Sequence, residues 1–142
     1  MNNKILKDEN VLIDTSVWVA YLGKESSVLS DTVDEIIHRN TIYVPKIVIA
    51  ELIQRASSDR EISVIEDFID AFHIIDHKGD AWMKAGRMLY TLKKKGETVS
   101  LRDCYIGAIA AEYNCSIFSI NGRFKSISTI TDISLIEIEN QE

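Results

Sequence analysis

The segment VLIDTSVWVAYL, residues 11–22, contains a single charged side chain, Asp14. The run from Val11 to Asp14 is too apolar for a strand with one face in water, so it predicts a strand buried inside a sheet. Ser16 is a preferred helix N-cap and Gly23 a preferred residue just past a helix end, so a short helix is expected between them. A carboxylate at the end of a buried strand therefore requires an explanation.

The rest of the chain alternates short apolar runs with longer amphipathic segments. Strands are predicted at residues 41–44, 73–75, 116–120 and 135–138, and helices at 26–38, 45–56, 79–95 and 100–114, with further helical spacing from Ile62 to Phe72. Strands that alternate with helices and avoid water on both faces predict a three-layer α/β/α sandwich with a central, mainly parallel five-stranded sheet.

Length and composition narrow the function classes. The 142 residues suit one domain, residues 1–142, and no run approaches the roughly 20 apolar residues that span a bilayer. The polar start MNNKILKDEN lacks the apolar centre of a secretory signal, so we expect a cytoplasmic protein with no membrane partner. A formal net charge of -6 argues against a broadly basic surface but allows a local basic patch. Cys104 and Cys115 are interpreted as buried thiols.

Three acids are expected to meet at one edge of the sheet, because ligands of open parallel sheets bind beyond the carboxyl ends of the strands where strand order reverses. Asp14 follows strand one, and Glu51 is the only charge in IVIAELI, residues 47–53. Asp103 lies in the first turn of a helix whose next residues on that face, Gly107 and Ala110, are small enough to leave space for a ligand. If strand one is central, the stretch SING, residues 119–122, ends strand four beside Asp14.

Each of these residues also has a purely structural explanation. Asp14 could cap the next helix, Glu51 could face solvent, and Asp103 forms the pattern S-x-x-D with Ser100, a capping box. Asn121 before Gly122 is typical of a turn. Their joint placement favours a function, because carboxylates about 4 Å apart repel by roughly 4 kcal/mol at an effective dielectric of 20, and a divalent cation would reverse that sign.

The chain resembles the PIN domain family of metal-dependent ribonucleases, in particular the VapC-type toxins of toxin–antitoxin pairs. The resemblance rests on VLIDTSVWVAYL, YVPKIVIAELI, KKKGETVS and LRDCYIGAIAAEYNCSIFSINGRF, in that order, and covers nearly the whole chain. Asp14, Glu51 and Asp103 match the family's first three acids. Asn121 stands where the family commonly has Asp, a departure expected to weaken metal affinity and to disfavour a second metal ion.

The resemblance implies hydrolysis of RNA with Mg²⁺ or Mn²⁺, which prefer oxygen ligands. Asp14 and Asp103 are the expected metal ligands, and Asn121 offers an amide oxygen or orients a water. Glu51, in an apolar setting that should raise its pKa, is expected to orient or deprotonate the attacking water. The residues expected to bind substrate are Ser16, Arg102, Ser119 and Arg123, of which the two arginines would contact phosphate.

The resemblance also implies a homodimer and a small antitoxin whose apolar segment covers the groove. The candidate aromatic residues for that surface are Trp18, Tyr21, Trp82 and Tyr90, although aromatic residues at such positions are more often part of the core. Lys93, Lys94 and Lys95 form a basic cluster, for which the favourable interaction of cations with the dipole at a helix C-terminus is the stronger explanation.

Three alternatives to the toxin remain open at this stage. Asn121 is compatible with an RNA-binding module whose catalytic set has weakened. A housekeeping RNA-processing nuclease fits the same acids. A phosphotransfer domain using Asp14 is disfavoured, because such phosphohydrolases usually carry a second acid two residues later, where this chain has Ser16.

Overall fold

The computed structural model describes residues 7–138, so the first six residues of the polar amino-terminal stretch lie outside the described range. The five strands are β1 (Asn10–Ile13), β2 (Thr41–Pro45), β3 (His73–Ile75), β4 (Ser116–Ile120) and β5 (Leu135–Ile138). They form one sheet in the order β3-β2-β1-β4-β5, and every adjacent pair is parallel. Strand β1 is central with β4 beside it, so the condition under which residues 119–122 lie beside Asp14 is met.

The helices of the described chain are α1 (Thr15–Leu22), α2 (Ser27–Arg39), α3 (Lys46–Gln54), α4 (Asp59–Ile69), α5 (Ala81–Lys94), α6 (Leu101–Glu112) and α7 (Lys125–Ser128). Helices α1 to α4 pack on one another, as do α5 to α7. Right-handed crossovers place the two groups on opposite faces, because the chain reverses its direction across the sheet after β3. No helix within residues 7–138 is long and apolar enough to cross a membrane.

The first strand lies at the centre of the core. Val11, Leu12 and Ile13 are 0% exposed, because helices cover both faces of the sheet. Trp18 on α1 is also fully buried and packs edge-on against Phe68. Its burial makes Trp18 a core residue and removes it from the candidates for a partner surface.

Side-chain caps mark the starts of α2, α4 and α6, and one expected cap needs correction. Ser26 and Ser100 accept hydrogen bonds from the backbone N–H groups of Leu29 and Asp103, as their positions predict. The expected cap at Ser16 is wrong: α1 begins at Thr15, and Asp14 occupies the N-cap position. The short helix α7 has no counterpart among the predicted elements, because four residues are too few for a hydrophobic period.

Gly107 has a different role from the one its size suggested. A Cβ built on Gly107 would lie 2.7 Å from Cγ2 of Ile127 in α7 and 3.4 Å from Cε of Met88 in α5. The absent side chain therefore allows α6 to approach its neighbouring helices closely, and it does not open space for a ligand below Asp103.

Both cysteines are free and buried, as predicted. Burial raises the pKa of Cys115 to about 12, and burial together with the charge of Asp103 raises that of Cys104. Neither thiol is suited to nucleophilic chemistry at neutral pH, since the thiolate is the reactive form.

The two helix glycines should respond to alanine with opposite signs. Gly86 in α5 has nothing within 4 Å of an added Cβ, so Gly86→Ala should stabilise the fold by about 0.5–1 kcal/mol through helix propensity. Gly107→Ala should destabilise it by roughly 1–3 kcal/mol through overpacking against Ile127. Urea unfolding of both variants measures the difference, and a Gly107→Ala protein as stable as the native chain would contradict the packing argument.

Candidate active site

A crevice of about 650 Å³ opens at the carboxyl edge of the sheet. Polar residues from five segments line it: Thr15, Ser16, Glu25, Glu51, Arg55, Arg102, Asn121 and Arg123. Asp14 and Asp103 are buried beside it, with 0% and 5% exposure, and each is in contact with Arg102. The predicted convergence of the three acids is therefore present, although a guanidinium lies between them.

Arg102 contacts all three acids. Its Nη1 lies 2.9 Å from Oδ1 of Asp14 and 2.9 Å from Oδ1 of Asp103. Its Nε donates to Oε2 of Glu51 at 3.0 Å, and its Nη2 donates to Oε1 of Glu51 and to the Thr15 hydroxyl. Burial opposes the charged form, but the bonds to Glu51 and the charge of Asp14 outweigh it and raise the pKa of Arg102.

Asp14 is positioned by the strand that precedes it. Its backbone N–H donates to the carbonyl of Phe118 on β4, which extends the sheet by one further bond. Although Asp14 occupies the N-cap position of α1, its side chain makes no capping bond. One carboxylate oxygen accepts a 3.3 Å bond from Ser16, and the other is near Arg102 but has no well-aligned hydrogen-bond donor among the described residues. The capping explanation for Asp14 is therefore wrong.

Glu51 is held in its ionised form. The Thr15 hydroxyl donates to Oε1 at 2.6 Å, and Arg102 binds both oxygens. Burial raises the pKa of Glu51, but the hydrogen bonds from Arg102 and Thr15 outweigh it, so the net pKa is lowered. The expectation of a raised pKa is wrong because the sequence pattern around Glu51 shows the apolar neighbours and not the distant guanidinium.

Asp103 lies between two arginines. Oδ1 accepts from Nη1 of Arg102, and Oδ2 accepts from Nε of Arg123 at 2.9 Å. Its backbone N–H donates to Ser100, which accounts for one half of the capping box. The carboxylate itself faces the arginines, so Asp103 serves the helix start through its backbone and the crevice through its side chain.

The end of β4 contributes residues of two different kinds. Asn121 lines the crevice and adopts a left-handed backbone with φ of 61°, followed by Gly122 at 67°, so the predicted turn is present and lies at the site. Ser119 is fully buried, and its hydroxyl has no hydrogen-bond partner among the described residues. A substrate contact by Ser119 would require a route into this buried position.

The two arginines, Arg102 and Arg123, neutralise much of the negative charge of the three acids. Repulsion among the three carboxylates is compensated within the fold by Arg102 and Arg123, so a bound cation is not needed to explain their joint placement. Arg102 is 18% exposed and engaged with the acids, whereas Arg123 is 45% exposed. Of the two predicted phosphate contacts, Arg123 is the accessible one.

Thr15, Glu25 and Arg55 line the crevice but were not predicted as site residues from the sequence. Thr15 bridges Glu51 and Arg102 through its hydroxyl. Arg55 lines the crevice four residues after Glu51 on the same helix face. The i, i+4 spacing could have identified Arg55, whereas the bridging role of Thr15 depends on tertiary contacts.

The donor set fits a hard divalent cation. Within the described part of the chain, Asp14 carries a fully buried carboxylate oxygen without an aligned donor, and the hydroxyl of Ser119 in the neighbouring strand β4 has no hydrogen-bond partner. Among residues 7–138, no three acid, histidine or cysteine side chains are arranged to hold a metal together. Mg²⁺ usually keeps several waters and takes one or two carboxylates from the protein, a number that Asp14 and Asp103 supply.

Comparison with known proteins identifies the family. An acid-lined crevice at the strand-order switch of a parallel sheet is the usual ligand or catalytic site of an open α/β domain. Residues 11–130 match the PIN domain, and the chain belongs to that family.

The similar proteins are ribonucleases and toxin–antitoxin complexes. VapC ribonuclease Mb1587 of Mycobacterium bovis is 25% identical over 127 residues, covering 87% of this chain and 95% of that protein. The crystal structure of VapBC2 from Rickettsia felis bound to promoter DNA aligns with a TM-score of 0.73 at 21% identity, covering 91% of this chain and 98% of that one. VapBC-1 from nontypeable Haemophilus influenzae aligns with a TM-score of 0.71 at 20% identity, covering 90% and 97%. Membership of the PIN domain family favours a nuclease over a phosphotransfer domain.

Glu51 should contribute to stability in a pH-dependent way. Its pKa is lowered from the ordinary value of 4.5, so its ionised form stabilises the fold above pH 4.5, and this contribution is lost as pH falls through the folded-state pKa. Glu51→Gln should lower the free energy of unfolding by roughly 1–3 kcal/mol at pH 7. The deficit should shrink in acid.

Glu35→Gln is the matched control, because Glu35 forms an exposed pair with Arg39 at 3.9 Å and such pairs contribute little. Urea unfolding from pH 3 to pH 8 tests both variants. A Glu51→Gln deficit that does not change with pH would show that the charged contacts are not its cause.

Proposed function

We propose that this protein is an endoribonuclease that uses Mg²⁺ or Mn²⁺ and acts as the toxin of a toxin–antitoxin pair. The observation that carries the proposal is the meeting of Asp14, Glu51 and Asp103 at the carboxyl edge of the sheet of a PIN domain. These acids come from segments up to 89 positions apart in the chain, as the numbers of Asp14 and Asp103 show.

Asp14 and Asp103 are the residues we assign to the metal, with the amide of Asn121 as a neutral oxygen nearby. The ion, when bound, would lower the pKa of a water and offset charge developing on the phosphate. Glu51 accepts hydrogen bonds in its ionised form, so we assign it to orienting the attacking water rather than to acting as a strong base. Arg123, half exposed at the rim, and Ser16 are assigned to the RNA phosphate.

The net reaction is hydrolysis of a phosphodiester bond. The oxygen of water forms a bond to phosphorus, the bond from phosphorus to the leaving ribose oxygen breaks, and the proton released by the water is balanced by the proton taken up by the leaving oxygen. Ordering of the water by Glu51 and of the phosphate by Arg123 brings the reacting atoms into line, which is a large part of the catalysis available to such sites.

A second candidate is an RNA-binding module with weakened catalysis. Two observations favour it: Asn121 replaces a common family acid, and Arg102 engages all three remaining acids. It differs from the leading proposal by retaining RNA binding without cleavage. A housekeeping nuclease shares the chemistry and differs by lacking an antitoxin.

The partner assignment rests on the structural neighbours, which are toxin–antitoxin complexes. We propose an antitoxin protein partner and a homodimer for this chain. Trp82 and Tyr90 on α5 are 47% and 62% exposed, and Trp82 is stacked on Tyr105 with 3.8 Å between ring centroids. Half-exposed aromatic side chains are typical of interface anchors, whereas Tyr21 is committed to a hydrogen bond with Asp34.

Asp14→Asn should reduce RNA cleavage by about 100-fold or more. It removes one of the two carboxylates that we assign to the metal, and weaker metal binding would lose the charge stabilisation at the reacting phosphate. The measurement incubates structured and unstructured RNA with purified protein and Mn²⁺, with and without EDTA. Asp31→Asn, on the exposed surface of α2, is the matched control and should cleave as the native chain does. Equal cleavage by Asp14→Asn, or no cleavage by the native chain, would contradict the proposal.

The toxin assignment predicts growth arrest on expression in bacteria. Induction of the native chain should stop growth, Asp14→Asn should not, and co-expression of the adjacent short open reading frame should restore growth and yield a co-purifying complex. RNA cleavage in vitro without growth arrest or a binding neighbour would favour the housekeeping nuclease.

A further inference from the structure

We propose that Arg102 is an internal counter-ion that competes with the divalent ion for Asp14 and Asp103, so that this side chain limits metal affinity. The inference rests on the proposed function, since it concerns the same metal site. It concerns a role for Arg102 distinct from the phosphate contact that sequence reasoning suggested.

The geometry places one nitrogen against both proposed ligands. Nη1 of Arg102 is 2.9 Å from Oδ1 of Asp14 and 2.9 Å from Oδ1 of Asp103. The other oxygens of these acids are already engaged, by Ser16 at 3.3 Å and by Arg123 at 2.9 Å. A metal bound by both aspartates would meet at least one of these donors, and the two Oδ1 oxygens are the pair that a single group, Nη1 of Arg102, contacts.

Arg102 and a divalent ion repel each other, so simultaneous contact of both with the same carboxylate oxygens is unfavourable. Arg102 has only 18% of its side chain exposed and Asp14 has none, so water screens little of the repulsion between a guanidinium and a divalent ion placed against the same oxygens. Chemical similarity adds to the competition, because the guanidinium and the metal satisfy the same carboxylate lone pairs. A single cationic occupant is therefore favoured at these oxygens.

Arg102 can leave the aspartates without leaving the site. Its Nε and Nη2 bind Glu51 in a bidentate pair, and Nη2 also donates to Thr15. Glu51 has 32% of its side chain exposed and lines the open crevice. Rotation of the guanidinium about this anchor would release Nη1 toward the crevice. The contact with Asp14 is poorly aligned as a hydrogen bond, so it costs less to break than the bonds to Glu51.

The test is a calorimetric titration of metal-stripped protein with MnCl₂. Arg102→Gln keeps a polar side chain near Glu51 but removes the competing charge, and it should bind Mn²⁺ roughly tenfold more tightly than the native chain. Arg102→Lys keeps a positive charge and should stay close to native affinity. Arg87→Gln removes one positive charge from the exposed face of α5 and serves as the matched control, with affinity expected within about twofold of native.

A second measurement follows Arg102 in the native protein. The ¹⁵N–¹H signal of its Nε, assigned by its absence from the Arg102→Gln spectrum, should shift on titration with Mg²⁺ with the same midpoint as the native calorimetric curve for that ion. The Arg87 signal should not move. The shift itself is measured on the native protein, and the variant is needed only for assigning the signal.

The outcomes separate this inference from the proposed function. If metal binds and Arg102→Gln has the same or weaker affinity than Arg87→Gln, or if the Arg102 signal is unchanged at saturating Mg²⁺, Arg102 organises the acids and does not compete. If neither the native chain nor Arg102→Gln binds metal, the metal dependence in the proposed function is wrong and the competition is wrong with it. Binding by Arg102→Gln but not by the native chain would be the strongest support.

Discussion

The contacts of Arg102 with Asp14, Glu51 and Asp103 determine how the crevice is organised. One guanidinium links the start of α1, the middle of α3 and the first turn of α6, which are far apart in the chain. Burying three acids together is unfavourable unless they are paired, and removing one partner of such a cluster leaves uncompensated charge. The acids can therefore occupy the end of the sheet only because a basic side chain is folded in with them.

The sheet supplies the geometry that this pairing needs. With β1 between β2 and β4, the residues that follow these strands emerge at one edge, and the reversal of strand order leaves a gap between the helices there. The complete burial of Val11, Leu12 and Ile13 fixes the position of Asp14, because a shift of one residue along the strand would carry its carboxylate into the apolar interior. Close packing at Gly107 fixes α6 against α5 and α7, and this helix position together with the bonds from Arg102 and Arg123 places Asp103.

Periodicity was sufficient to predict the five strands and all helices longer than one turn, and the rule that ligands bind at strand ends placed the acids at one edge if strand one is central. The features that the sequence did not predict depend on tertiary contacts. The lowered pKa of Glu51 depends on Arg102, which is 51 positions away in sequence, and no local pattern reports such a pair. Ser16 and Asp14 are both good caps, and the choice between them depends on where β1 stops. A glycine at position 107 is compatible either with close packing of helices or with space for a ligand, and only the position of Ile127 distinguishes the two roles.

The charge balance of the crevice explains how Asn121, at a position where the family commonly has an acid, would affect the binding of metal and of RNA. Three carboxylates and two guanidinium groups leave one net negative charge, a weaker field for a cation than the number of acids suggests. A divalent ion would convert this to one net positive charge, and the crevice would then attract an RNA phosphate that it otherwise repels. A fourth carboxylate would cancel that positive charge. A neutral side chain at Asn121 therefore lowers metal affinity but favours the anionic substrate once metal is bound, and the displaced Nη1 of Arg102 would act in the same direction.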